Sequence, residues 1–151
     1  EVHYREALRQ APKDPRVWND AGYSAYLQRR WDDAERRLRT AVRLAPEDPR
    51  AHTNLGLCLA AAGKTDTALE ELSRAGGPAI GHANLAYLLA SLGKADEARH
   101  HYQIALQFQP QLQAARTALA QLDKEPGKAQ IAASGTTDAA VTRTRTTGTA
   151  H

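Results

Sequence analysis

The chain has 151 residues, 42% of them hydrophobic, which is enough for one domain with a real core and too little for two ordinary ones. No run reaches the roughly 18 consecutive apolar residues of a membrane span, and nothing at Glu1 has the charged, apolar and small-residue order of a secretory leader. The net charge of +3 is concentrated late: Lys124, Lys128, Arg143 and Arg145 face only Glu125 and Asp138, which leaves 16 basic against 15 acidic groups in residues 1–123 and no basic body to follow a nucleic-acid backbone.

In chain order, HYREALRQAPKDP comes first. It sets Tyr4, Ala7 and Pro12 at the spacing found again at Tyr102, Ala105 and Pro110, so residues 1–14 are predicted to be the second helix of a partial unit. Segments 15–48, 49–78 and 79–112 then share one pattern. Trp18, His52 and His82 open them, and Ala21-Gly22, Leu55-Gly56 and Leu85-Ala86 follow three residues on. Ala34, Ala68 and Ala98 are equivalent, as are Ala41, Ala75 and Ala105.

Each unit divides at RRWDD, GKTDT or GKADE into two segments with helical apolar periodicity, and none shows the alternation of a strand. Gly63 and Gly93 suit the position just past a helix end, and Asp32, Asp66 and Asp96 are placed to cap the helix that follows. Pro46 and Pro110 close the second segments, since neither can continue a helix interior. Residues 113–123 read as a lone closing helix with Ala115, Leu119 and Leu122 on one stripe. Residues 124–151 contain no aromatic and only Ile131 and Val141 as large apolar side chains, too little to offset the entropy of ordering, so a disordered Thr-rich tail is predicted.

The stretch AGGPAIG looks at first like a phosphate cradle. Such a loop needs a strand before it and Gly-Lys-Ser/Thr at its end, whereas here a helical pattern precedes and His82 and Ala83 follow Gly81. The repeat arithmetic gives another reading. Ala34 and Ala68 are 34 residues apart, Ala68 and Ala98 only 30, and the four missing residues, about one helical turn, fall between Ala75 and His82. The second unit is therefore expected to end early, with Gly76 or Gly77 in a positive-φ conformation and Pro78 barring continuation. A shifted third unit and a groove bent between Leu57 and Tyr87 would follow.

No catalytic or cofactor site is expected. His100 and His101 are neighbours on a helix and point about 100° apart, so they cannot converge on one ion. His52 and His82 sit at equivalent positions and could approach each other, but no further ligand set accompanies them and no metal is expected. Cys58 lies in the apolar run LGLCLAAAG and reads as a core thiol. Ser24, Ser73 and Ser91 fall within helical patterns and join no triad.

These units resemble the tetratricopeptide repeat family. Trp18, Gly22, Ala34, Ala41 and Pro46 match its 34-residue pattern in the first unit; Leu55, Gly56, Ala68 and Ala75 in the second; Leu85, Ala98, Tyr102, Ala105 and Pro110 in the third. Ala25, Leu59 and Leu89 stand where an aromatic is usual. The resemblance implies an all-α, right-handed solenoid of antiparallel helix pairs over residues 1–123, non-catalytic and without cofactor. First helices would line a groove that binds a segment of another protein. The groove residues expected at that register are Arg16, Asn19, Tyr23 and Tyr26 from the first unit, Arg50, Asn54 and Leu57 from the second, and Asn84 and Tyr87 from the third.

A clamp for a terminal carboxylate would need Lys, Arg and Asn from successive first helices. The third unit offers Ile80, Ala83 and Asn84, so that clamp is incomplete. The chain is also similar to bacterial repeat proteins of the cell envelope and of tight-adherence pilus assembly. That makes an assembly component, docking or self-associating through an uncapped N-terminal face, the alternative function, in a bacterial cytoplasm or envelope.

Overall fold

The computed structural model describes residues 2–124, and these form helices without a strand: α1 (Val2–Gln10), α2 (Pro15–Leu27), α3 (Trp31–Leu44), α4 (Pro49–Ala61), α5 (Thr65–Ser91), α6 (Ala95–Phe108) and α7 (Gln113–Lys124). Each helix packs chiefly on its neighbours in the chain, the quasi-linear build of an all-α solenoid. Residues 125–151, most of the predicted tail, lie outside the described residues.

The core is a column of small and branched side chains. Leu38, Leu55, Leu59, Leu72 and Leu85 are fully buried, each contributing about 2 kcal/mol by leaving water. Between them Ala21, Ala25, Ala34, Ala41, Ala68, Ala98 and Ala105 have no exposed surface, and their small size lets the paired helices approach. The closing helix α7 keeps its predicted stripe, with Ala115 buried and Leu119 and Leu122 half-buried against the core.

Helix starts depart from expectation. Asp32, Asp66 and Asp96 do not cap: α3, α5 and α6 begin at Trp31, Thr65 and Ala95 after Arg30, Lys64 and Lys94, none of which makes a side-chain cap bond. The three aspartates instead lie in the first turn, where a carboxylate acts on the positive end of the helix dipole. Side-chain capping falls to Asp14 and Asp48. Each is extended ahead of a proline at the first helical position, and its Oδ1 accepts from the amide of Arg16 or Arg50 at 2.9 Å.

Gly63 and Gly93 have positive φ past the ends of their helices, and in the first unit Arg29 takes the same conformation at φ 58°. The shortened junction is a sharp bend within α5. Gly77 has φ 85° and ψ 171°, a mirror-image extended conformation open essentially to glycine alone, and Pro78 starts the second limb. Helix therefore resumes at once, with no intervening turn. Tight packing of the limbs follows: a Cβ on Gly81 would lie 2.4 Å from Ser73 Oγ and 2.9 Å from Ser73 Cα.

Candidate functional site

Tyr23, Leu57 and Tyr87 occupy the same register position in α2, α4 and the second limb of α5, so they follow one another along the first helices of the three units. Tyr23 is 40% exposed and Tyr87 70%, a large apolar area left in water, while Leu57 is half-buried against the core. Tyr23 stacks on Tyr26 with centroids 5.7 Å apart and planes 22° apart, and Tyr26 leans on Trp31 at 5.7 Å. The α2 end thus carries a rigid aromatic shelf. Burial raises the Tyr26 phenol above its ordinary value, aided by Tyr23 and Cys58, so it stays neutral at physiological pH.

The polar residues are tied into the scaffold. Asn19 is only 2% exposed, and its Oδ1 accepts from Asn54 Nδ2 at 2.9 Å, joining α2 to α4. Arg16 bonds Asp14 through Nε and Nη2, which raises the guanidinium and lowers the carboxyl. Arg50 Nη2 meets Asp20 at 2.8 Å across the first and second units. Both arginines already have carboxylate partners. Asn84 is half-buried on the second limb of α5.

At the far end lies a concavity of about 620 Å³ between α5, α6 and α7. Tyr87, Ala90, Tyr102, Ala118 and Leu122 supply apolar walls; Ser91, Gln121 and Lys124 supply polar ones. Tyr102, 4% exposed, forms part of the wall, its phenol raised by burial and by Tyr87. Of these residues only Tyr87 is among the groove positions expected from the sequence. The α7 contribution was missed because that helix read as a cap, although its polar positions continue the first-helix register.

The histidines do not pair as considered. His52 is buried, with Nδ1 2.6 Å from Glu71 Oε2 and Nε2 2.7 Å from the Pro46 carbonyl; His82 meets His101 instead. Among the described residues no group of three His, Cys, Asp or Glu side chains is placed to hold an ion. None of the described helices is long and apolar enough to cross a membrane.

Cys58 is buried with Sγ 3.6 Å from the Trp31 carbonyl, and desolvation, then the charge of Glu35, pushes its thiol up to about 11. At pH 8 on the order of one thiol in a thousand is then thiolate, the reactive form. Iodoacetamide is expected to modify Cys58 only once denaturant opens the core; stoichiometric labelling of the folded chain within minutes would contradict this burial.

Among solved structures the chain is similar to PilW, described as a widely conserved type IV pilus biogenesis factor, at 21% identity and a TM-score of 0.57 over 82% of this chain. It spans 59% of the PilW chain. It is similar to MamA at 20% identity and a TM-score of 0.57, covering 86% of this chain and 78% of that one. The first repeat domain of Spaghetti (RPAP3), solved with the HSP90 peptide SRMEEVD, aligns at 18% identity and a TM-score of 0.52 over 75% of this chain and 93% of that one. At these identities the likeness is one of fold. No curated protein matches. The tetratricopeptide repeat family model matches residues 3–35 and 19–81, together more than half of the sequence. With the repeated helix pairs described above, the chain belongs to the tetratricopeptide repeat family.

Proposed function

We propose that this chain is a non-catalytic protein-interaction module whose first helices bind a neutral, largely apolar segment of a partner protein. The observation that carries the reading is the run of Tyr23, Leu57 and Tyr87 at one register, its two tyrosines exposed and its α5 end opening into the 620 Å³ cavity. Aromatic side chains give large contact area at low entropic cost, and such anchors dominate binding energy in most interfaces. Family membership and the peptide held by the Spaghetti domain support a peptide ligand in general terms.

The chemistry of that ligand differs from an acidic tail. Arg16 and Arg50 are paired with Asp14 and Asp20, and Asn19 is buried, so a carboxylate-rich peptide would have to break ion pairs to be received. Asn54 and Asn84 are the expected amides for a ligand backbone. As a probe, peptides selected by display on the full chain are titrated calorimetrically against the Tyr23→Ala/Tyr87→Ala double variant. Binding is expected to weaken at least tenfold, about 1.4 kcal/mol, with helical circular dichroism unchanged. Equal affinity for both chains would reject the groove.

A further inference from the structure

The residue that opens each unit has a recurring task, and the third unit breaks it. Trp18 Nε1 donates to the Pro12 carbonyl at 2.8 Å, and His52 Nε2 meets the Pro46 carbonyl at 2.7 Å, each fastening a first helix to the turn before it. The other ring nitrogen of His52 faces a carboxylate 19 residues on, Glu71. In the third unit the bend at Gly77 replaces the preceding turn, and the residue 19 positions after His82 is a second imidazole, His101. A histidine facing a carboxylate keeps its contact when it takes a proton. A histidine facing another histidine has a limit.

The two rings meet head-on, Nδ1 to Nδ1 at 2.9 Å with centroids 5.1 Å apart, the geometry of one N–H···N hydrogen bond. Phe108 stacks on His82 at 6.0 Å, and His100 stands edge-on to His101 at 5.7 Å. With both rings neutral, one Nδ1–H donates and the other Nδ1 accepts. A first proton, taken at Nε2 of the donating ring, leaves that bond in place and makes it charge-assisted. A second proton puts an N–H on both sides of the gap, so the acceptor is lost and two positive rings face each other.

The surroundings favour the neutral pair. Burial foremost, then the neighbouring imidazoles, holds both rings below the ordinary histidine value; His100 opposes charge on either ring, and Glu97, itself paired with Lys94, favours it at His101. Other charged groups on the packed helices have partners of their own: Glu71 and Arg74 on the first limb of α5, Arg99 with Asp96 and with Asp123 of α7, and Arg116 of α7 with Gln111.

We propose that His82 and His101 form a proton-sensitive latch between the second limb of α5 and α6, closed at neutral pH and opened when both rings are protonated. Tyr87 lies on the same limb as His82, and Tyr102 directly follows His101; both wall the 620 Å³ concavity. Opening the latch therefore shifts one wall against the other, and acid releases a segment bound there, an effect on binding that rests on the groove reading above. The sign follows from the lowered values. Each ring takes its proton later in the folded chain than in the unfolded one, so the contribution to stability is complete above about pH 6.5 and is lost as pH falls below it.

The test begins with long-range nitrogen-15 spectra of the imidazoles in the full chain. At pH 7.5 one of the two rings is expected as the Nδ1–H tautomer and the other as Nε2–H, with coupling between the two Nδ1 nuclei; at pH 5 both are doubly protonated, the coupling is gone, and amide exchange rises in α6 more than in α2. Two Nε2–H rings at pH 7.5, or coupling that persists at pH 5, overturns the latch without any variant having to fold. The display-selected peptide is then expected to bind the unsubstituted chain at least tenfold more weakly at pH 5 than at pH 7.5, and the His82→Phe/His101→Phe chain, which keeps aromatic rings in the stack, with most of that pH dependence removed. An equal loss in both folded chains overturns acid release. If the Tyr23→Ala/Tyr87→Ala chain binds normally at pH 7.5, the groove reading has failed instead, and the imidazole spectra decide the latch.

Discussion

Replacing Gly81 by alanine is expected to destabilise the chain by about 2 kcal/mol, the gain in helix propensity notwithstanding. The added Cβ would sit 2.4 Å from Ser73 Oγ, which can rotate away, and 2.9 Å from Ser73 Cα and N, which cannot. Overpacking of this kind costs up to about 3 kcal/mol, and alanine's better propensity returns roughly 1 kcal/mol. The two limbs of α5 must then part, and the bend at Gly77 is the place that yields. A urea midpoint equal to or above that of the unsubstituted chain would show that the limbs do not approach as described.

His52→Ala is expected to cost about 3 kcal/mol, the effect of stripping one partner from a buried pair. His52 and Glu71 are each 7% exposed in their side chains and 2.6 Å apart. Removing the imidazole leaves the Glu71 carboxylate in the interior with only Arg74, whose side chain is 59% exposed, and leaves the Pro46 carbonyl without its donor. A cavity adds to the loss. Glu71→Gln in the same background is expected to restore part of the stability by removing the charge. If the single and double variants unfold at the same urea concentration, the pair does not carry the stability assigned to it.

Much of this architecture was legible because a solenoid repeats its physics. Helix pairs, their equivalent alanines, the glycines at 63 and 93 and the one-turn deletion follow from spacing, since each unit meets the same packing problem. The parts that were not legible depend on partners outside the unit's own periodicity. Asp14 and Asp48 cap because proline follows each and holds the preceding residue extended, a rule that weighs more than the proximity of Asp32 or Asp66 to a helical pattern. Asn19 looked like a groove amide, but its register turns it toward Asn54. The contacts His52 to Glu71 and His82 to His101 both span 19 residues, a spacing that joins the two helices of one pair and means nothing until their register is known.

That same register bears on function. The first helices hold Tyr23 and Tyr87 at the surface with Leu57 half-buried between them, while Arg50 bonds Asp20 and Asn19 bonds Asn54, so the proposed groove relies chiefly on apolar contact. The most direct measurement is a nitrogen-15 correlation spectrum of the full chain with and without a display-selected peptide. Shifts gathered on α2, α4, residues 78–91 and the cavity wall of α7 are the predicted result; shifts confined to α3, α6 and residues 65–76 would contradict the groove.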